Sequence, residues 1–173
     1  MIIISDTTPL RYLIEIEAAH ILETLYGKIT IPEKVFSELQ GVNTPPKVKA
    51  WIQACPTWIE VRKADTSLFT PIRNIHDGER EAIALAIELQ ADAFLSDDGN
   101  AIKEALRLNI PAIRLFTIFE SAAERNLIDL PDAIRKMQGT TFHCPPVAII
   151  NAMLERDRLR KEAEEEAQKK KSK

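Results

Sequence analysis

The stretch Ile2-Ile3-Ile4-Ser5-Asp6-Thr7-Thr8-Pro9 opens the chain with an apolar run that stops at a carboxylate. Three β-branched residues in succession, without polar alternation, read as a strand buried on both faces, the pattern of a parallel sheet covered by helices on either side. Thr8 then supplies an N-cap and Pro9 a first helical position, opening a helix through about Ile14. The same alternation of short strand and longer helix continues outward from this unit. A helix over about 17–26 stops at Gly27, Ile29-Thr30-Ile31 is a strand, and Pro32 starts a helix through Leu39. Pro45-Pro46 leads into a helix ending near Ala54, with Trp51 and Ile52 inward. Trp58-Ile59-Glu60-Val61 reads as an edge-like strand. Arg62 to Asp77 has no clean period and is expected as loop or irregular helix. The helix over 78–90 is apolar almost all round and belongs in the core. Ala93-Phe94-Leu95-Ser96 is the fourth strand, Asp98 or Gly99 opens a helix to about Leu108, and Ala112 to Leu115 is the fifth. Helices near 116–125 and 131–138 follow, and Pro145-Pro146 starts a last long one. The fold class is therefore α/β, a three-layer α/β/α sandwich with a mainly parallel, about five-stranded sheet, plus C-terminal helices.

The 173 residues are 45% hydrophobic and 28% charged, an ordinary globular balance that excludes disorder along the whole length. They suffice for one domain with an appendage, divided here as 1–120, a helical extension over 121–154 packed on it, and a charged helical or disordered tail over 155–173. No apolar run approaches the ~18–20 residues of a membrane span, so no membrane partner is expected. Cys55 and Cys144 are too few and too far apart in sequence for a disulfide framework or a zinc knuckle, which makes a reducing cytoplasm the default. The net charge of −3 is uneven: the segment from Glu155 holds 8 basic and 6 acidic residues, leaving 15 basic and 20 acidic in 1–154. An acidic body cannot bind nucleic acid by bulk charge, unless metal ions reverse the sign locally.

The acidic residues fall at telling places. In open parallel sheets ligands collect beyond the carboxyl ends of the strands. Asp6 directly follows the first strand and, with the cap assigned to Thr8, is left without a structural duty. Asp97-Asp98 directly follows the fourth, where an Asp also serves as an ordinary N-cap. Glu38 sits beside Val35 at i+3, on the shoulder of the stripe formed by Val35, Phe36 and Leu39. Glu79 and Glu81 occupy the first turn of the helix over 78–90, where the macrodipole favours one such charge. The two are separated by roughly 200° around that helix, so they cannot face one point. Glu81 is expected to face the carboxyl end of the sheet, with Glu79 behind it or toward solvent. Gathered together, these carboxylates repel one another and raise their own pKa values. A hard divalent cation with oxygen ligands, Mg²⁺ or Mn²⁺, is the physical remedy, and such a centre activates water and polarises a phosphoryl oxygen.

Four segments then match a known family in order and spacing: Ile3-Ile4-Ser5-Asp6-Thr7-Thr8-Pro9-Leu10, Ile31-Pro32-Glu33-Lys34-Val35-Phe36-Ser37-Glu38-Leu39, Asp77-Gly78-Glu79-Arg80-Glu81-Ala82-Ile83-Ala84-Leu85-Ala86 and Phe94-Leu95-Ser96-Asp97-Asp98-Gly99-Asn100-Ala101. Over residues 1 to about 120 the chain resembles PIN-domain proteins, similar to the VapC-type ribonuclease toxins and especially to a group of short PIN proteins. That resemblance implies a metal-dependent endoribonuclease acting on RNA. It puts the acidic positions on Asp6, Glu38, Glu81 and one of Asp97 and Asp98, with Asp98 preferred because a Thr/Ser-x-Asp motif then falls on Ser96-Asp97-Asp98, and with Glu79 a close rival to Glu81. It makes Ser5, Thr7 or Thr8 the small hydroxyl beside the first aspartate, and it implies a homodimer and an antitoxin partner. Glu81 departs from the Asp common in the toxins, and the helices after residue 120 extend beyond the minimal toxin. Among them Thr141-Phe142-His143 and the stripe Val147, Ile150 and Met153/Leu154 are expected to pack on the body, with a dimer surface or a partner's docking site as the alternatives.

Two other readings compete. Haloacid-dehalogenase-type phosphohydrolases also place Asp after the first strand and Asp-Asp after a later one. They require a second acid two places on, where this chain has Thr8, and a lysine that the helix over 78–90 does not supply. A catalytically silent PIN fold serving as a binding or assembly module is the non-enzymatic alternative, and the filled acidic positions count against it.

Overall fold

The computed structural model describes residues 1–171; the expected tail runs on to residue 173, and its last two residues lie outside the described ones. The chain separates into two compact units, Met1–Leu115 and Phe116–Lys173. The first holds a sheet of five parallel strands, β1 (Ile3–Ser5), β2 (Ile29–Pro32), β3 (Ile59–Arg62), β4 (Ala93–Leu95) and β5 (Ala112–Ile113), in the order β3-β2-β1-β4-β5. The central β1 pairs Ile3 with Ile29 on one side and with Ala93 on the other. Ile3, Ile4 and Ser5 are all fully buried, as an unalternating β-branched run demands. Successive connections run outward from β1 to β3 and then return to its other side at β4. The topological switch point, where ligands collect in doubly wound sheets, therefore lies between the carboxyl ends of β1 and β4.

The helices of this unit are α1 (Thr7–Glu15), α2 (His20–Tyr26), α3 (Glu33–Glu38), α4 (Pro46–Ala54), α5 (Asp77–Glu88) and α6 (Gly99–Arg107). One expectation is corrected at α1. Its cap is Asp6 and not Thr8: an Asp6 carboxylate oxygen accepts from the Thr8 amide at 3.1 Å. The helix starts early enough that Pro9 falls at its third position, where the missing N–H would lack an intrahelical partner in any case. Asp6 thus has a structural duty after all. Gly27 ends α2 at φ 79°, a backbone that side chains rarely adopt. Helix α5 packs Ala82, Ile83, Ala84, Leu85 and Ala86 into a core with Ile4, Phe94, Ala101 and Ala105, in line with its apolar sequence. Trp51 and Trp58 meet edge to face, their ring centroids 5.6 Å apart.

The segment between β3 and α5 contains only a short 3₁₀ turn at Thr66–Leu68, yet it is anchored. Glu104, wholly buried on α6, accepts from Arg73 at 2.8 Å and from Arg107 at 2.8 and 3.2 Å. Asn100 donates its side-chain amide to the Asn74 carbonyl at 3.0 Å. Burial pushes the Glu104 carboxyl up, but Arg107 and Arg73 outweigh it and hold the group below its ordinary range.

The second unit carries α8 (Leu130–Gln138) and α9 (Val147–Lys171), together with most of α7 (Leu115–Glu124). Phe142 stacks on Phe116 at 6.0 Å, and Ile150 and Met153 are buried, whereas Val147 is largely exposed and leaves the expected stripe. The charged stretch is helical to Lys171, laced by Arg158 with Glu155 and Glu162 and by Arg160 with Asp157 and Glu164. No helix among the described residues is long and apolar enough to cross a membrane.

Glu104→Ala should destabilise the protein by about 1–3 kcal/mol, because two charged hydrogen-bonding partners lose their shared acceptor while remaining a third exposed to water. Denaturant unfolding measures the loss, and faster hydrogen exchange should concentrate in residues 70–77.

Candidate active site

Asp6 is placed by the sheet itself. Its amide donates to the Leu95 carbonyl at 3.0 Å, so the residue forms the last rung between β1 and β4. Its side chain is only 2% exposed, with one oxygen on the Thr8 amide. The other, Oδ2, is buried without a hydrogen-bond partner among the described residues. Burial pushes this carboxyl well above the usual range, and the charges of Glu79 and Asp97 push it further, against the neighbouring Ser96 hydroxyl and the Thr8 amide.

Around Asp6 opens a cleft of about 420 Å³ lined by Asp6, Thr7, Thr8, Lys34, Glu38, His76, Asp77 and Glu79. Glu38, at the end of α3, accepts a short hydrogen bond from the Thr7 hydroxyl. Gly78 makes room for it: a Cβ there would lie 2.5 Å from one Glu38 carboxylate oxygen and 2.8 Å from the other. Glu79 bends back to accept from the His76 amide at 2.8 Å. Its pKa is raised, chiefly by burial and also by Asp98 and Glu38, while the His76 amide and side chain oppose the rise. Asp97 is held by the Leu115 amide at 3.2 and 3.3 Å, and burial lifts its pKa to about 6 despite that bond and the nearby Arg114.

The structure therefore brings Asp6, Thr7, Thr8, Glu38 and Glu79 to one cleft, with Asp97 near enough to Asp6 to repel it. Two other candidates at the same edge stand outside the lining of the cleft and hold main-chain partners. Glu81 reaches the carboxyl end of the sheet, as expected, but does not line the cleft: its carboxylate accepts from the Lys34 amide at 3.2 Å, just past β2, covering the first turn of α3. The partner that a carboxylate beside an apolar core requires is thus a main-chain N–H and not a cation. The roughly 200° between Glu79 and Glu81 sends one into the cleft when the other faces α3. Asp98 caps α6, accepting from the Asn100 and Ala101 amides at 2.8 Å each. Ser5 and Ser96 are fully buried: Ser5 donates to the Asp6 carbonyl, and Ser96 accepts from the Asp98 amide. Lys34, His76 and Asp77 line the cleft although no site role was assigned to them. Lys34, two residues past β2, could have been found by the same strand-end rule that singled out Asp6.

No three His, Cys, Asp or Glu side chains among the described residues are gathered tightly enough to hold an ion as they stand. The donor chemistry nevertheless fits a hard cation. All the donors are carboxylate oxygens, the Asp6 oxygen is buried and unpartnered, and burial together with neighbouring carboxylates raises the pKa values of Asp6 and Glu79.

A family model described as PIN domain, DUF3368, matches residues 2–157. Among solved structures, a PilT N-terminus domain protein from the hyperthermophilic archaeon Sulfolobus solfataricus P2 is similar at a TM-score of 0.51. The two are 21% identical, over 70% of this chain and 93% of that one, a likeness of fold. No curated protein sequence matches the chain.

Two outcomes follow from this geometry. Gly78→Ala should leave global stability nearly unchanged, since the clash falls on the far end of a side chain and Ala favours the helix by about 1 kcal/mol. It should evict Glu38 from its place against Thr7, a shift that a crystal structure of the variant would reveal. In chelator, the folded Asp97 carboxyl keeps its proton up to about pH 6, whereas the unfolded chain releases it near 3.8. Stability contributed by this group must therefore fall as pH rises between those values, by roughly 2–3 kcal/mol. Urea unfolding across that window should show a shallower fall in Asp97→Asn.

Proposed function

The chain belongs to the PIN-domain family, and from that premise we propose that it is a metal-dependent endoribonuclease whose site is the carboxylate cleft beside β1 and β4. The observation that carries the reading is the Asp6 carboxylate, buried with an oxygen left over and raised in pKa chiefly by that burial and further by Glu79 and Asp97. Such an arrangement costs stability in the metal-free chain and is compensated only when a cation arrives.

In this reading Asp6, Glu38, Glu79 and Asp97 hold Mg²⁺ or Mn²⁺, while Glu81 and Asp98 fix the starts of α3 and α6. The bound ion would supply Lewis acidity toward a phosphoryl oxygen and a more acidic water. The chain's own residues do the rest. Thr7 orients the Glu38 carboxylate, the Leu95 carbonyl locks the Asp6 backbone, and the His76 amide steadies Glu79. Acids so restrained lose little freedom when they engage a substrate, which is where preorganisation gains rate. The toxin resemblance adds two partners to the proposal, an antitoxin protein and a second copy of the chain.

Asp6→Asn tests it. The variant should fold with unchanged or higher stability, because a buried charge is removed at constant shape. It should bind Mn²⁺ at least tenfold more weakly by calorimetry, and Mn²⁺-dependent cleavage of RNA should drop by a factor on the order of 10² or more. Undiminished cleavage would overturn the nuclease reading. Absence of cleavage and of Mn²⁺ binding in the unaltered chain would leave the silent binding module in its place.

A further inference from the structure

The carboxyl edge of the sheet carries a second pattern besides its acids. Just past the strands, in sheet order, stand Glu33 and Lys34 after β2, Asp6 after β1, Asp97 after β4 and Arg114 after β5. Lys34 and Arg114 are thus the cations on either side of Asp6 and Asp97. Lys34 lines the cleft, and its backbone is fixed by the bond from its amide to Glu81. Its ammonium is only loosely engaged, 3.6 Å from an Asp77 carboxylate that is 77% exposed. An exposed pair of that kind is worth little and exchanges readily for another anion. Arg114 is exposed and reaches back over Asp97, its guanidinium 3.4 Å from the Asp97 carbonyl. Arg62 also stands at a strand end, on β3, but it is committed to Glu60 at 2.7 Å.

Three strand spacings separate β2 from β5, or ~14 Å. That exceeds the reach of one phosphate and suits a few nucleotides of one unpaired strand. A polynucleotide crossing an acidic edge is repelled wherever no cation meets it, and the body of the chain is net acidic. We propose that Lys34 and Arg114 are the phosphate contacts that seat a single-stranded RNA across the carboxyl edge of the sheet, one on each side of the carboxylates. The strand then runs perpendicular to the β-strands. Lys34 exchanges Asp77 for a phosphate, and the scissile diester lies over Asp6 and Asp97. The inference rests on the nuclease reading for its substrate, while the direction of the track comes from the cations alone.

The test uses the full chain with Lys34→Met, Arg114→Met and the double variant. Anisotropy of a short labelled oligouridylate is read in Ca²⁺ across a salt series, with strand integrity checked on a gel. Each single substitution should weaken binding about fivefold at 0.1 M salt and lower the slope of log affinity against log salt by about 0.7, and the double variant should lose about twice that slope. Lys34→Arg and Arg114→Lys should restore both quantities, which a merely structural role would not predict. In Mn²⁺ the Met variants should raise KM for the RNA by a larger factor than they lower kcat. Bis(p-nitrophenyl) phosphate has no second phosphate to place on the far cation, so its hydrolysis should fall less in every Met variant than RNA binding does. Unchanged slopes, or no measurable binding by the unaltered chain, overturn the track. Failure of the unaltered chain to hydrolyse either diester overturns the nuclease reading, while the slopes still decide the track.

Discussion

The carboxylate of Asp6, trapped at the end of the central strand, is the constraint on which the site depends. Its amide closes the ladder to β4, and one of its oxygens starts α1. These two bonds hold the side chain in place at the foot of the cleft, since rotating it away would uncap a helix. The remaining oxygen is held in a poor environment by the same contacts that make the fold, and the neighbouring carboxylates raise the cost of its charge. Stability is thus sacrificed at the topological switch point, where a doubly wound sheet gathers its loops and helix ends.

Much of this was legible in the residues. The unalternating Ile3-Ile4 run, the apolar helix that became α5 and the repeated strand–helix spacing announced a parallel sheet, and the four matched segments announced the PIN fold. Positions of acids relative to strand ends were legible for the same reason: in a parallel sheet every strand delivers its following residue to one edge. Side-chain direction within a helical turn was not. Glu79 and Glu81 differ in sequence only by position, and what separates them is the Lys34 amide, a partner contributed by another element. Thr8 was mistaken for the cap of α1 because Thr-Pro is so strong a local signal. Asp6 took the role because its tertiary placement brought it within reach of the Thr8 amide.

The anchoring of the segment between β3 and α5 belongs to the same economy. A long irregular stretch precedes the helix start that carries Gly78 and Glu79. Left free, it would spread those residues over many positions. The buried Glu104, gripping Arg73 and Arg107, ties the stretch to α6. A charge placed in the interior far from the acids thereby limits where one of them can go.

The two sides of the cleft are unequal in stiffness. Asp6 and Asp97 stand on adjacent strands, one a rung of the ladder and the other bound to the Leu115 amide. Glu79 stands on a helix end delivered by a tethered loop, and Glu38 is held by a single hydroxyl and by the gap where Gly78 has no side chain. Guests of different radius would be met by movement of the second wall, with the first acting as a fixed jaw. Discrimination by size in such a vice is set by the compliance of its softer side, and a single methyl group at position 78 is enough to wedge it.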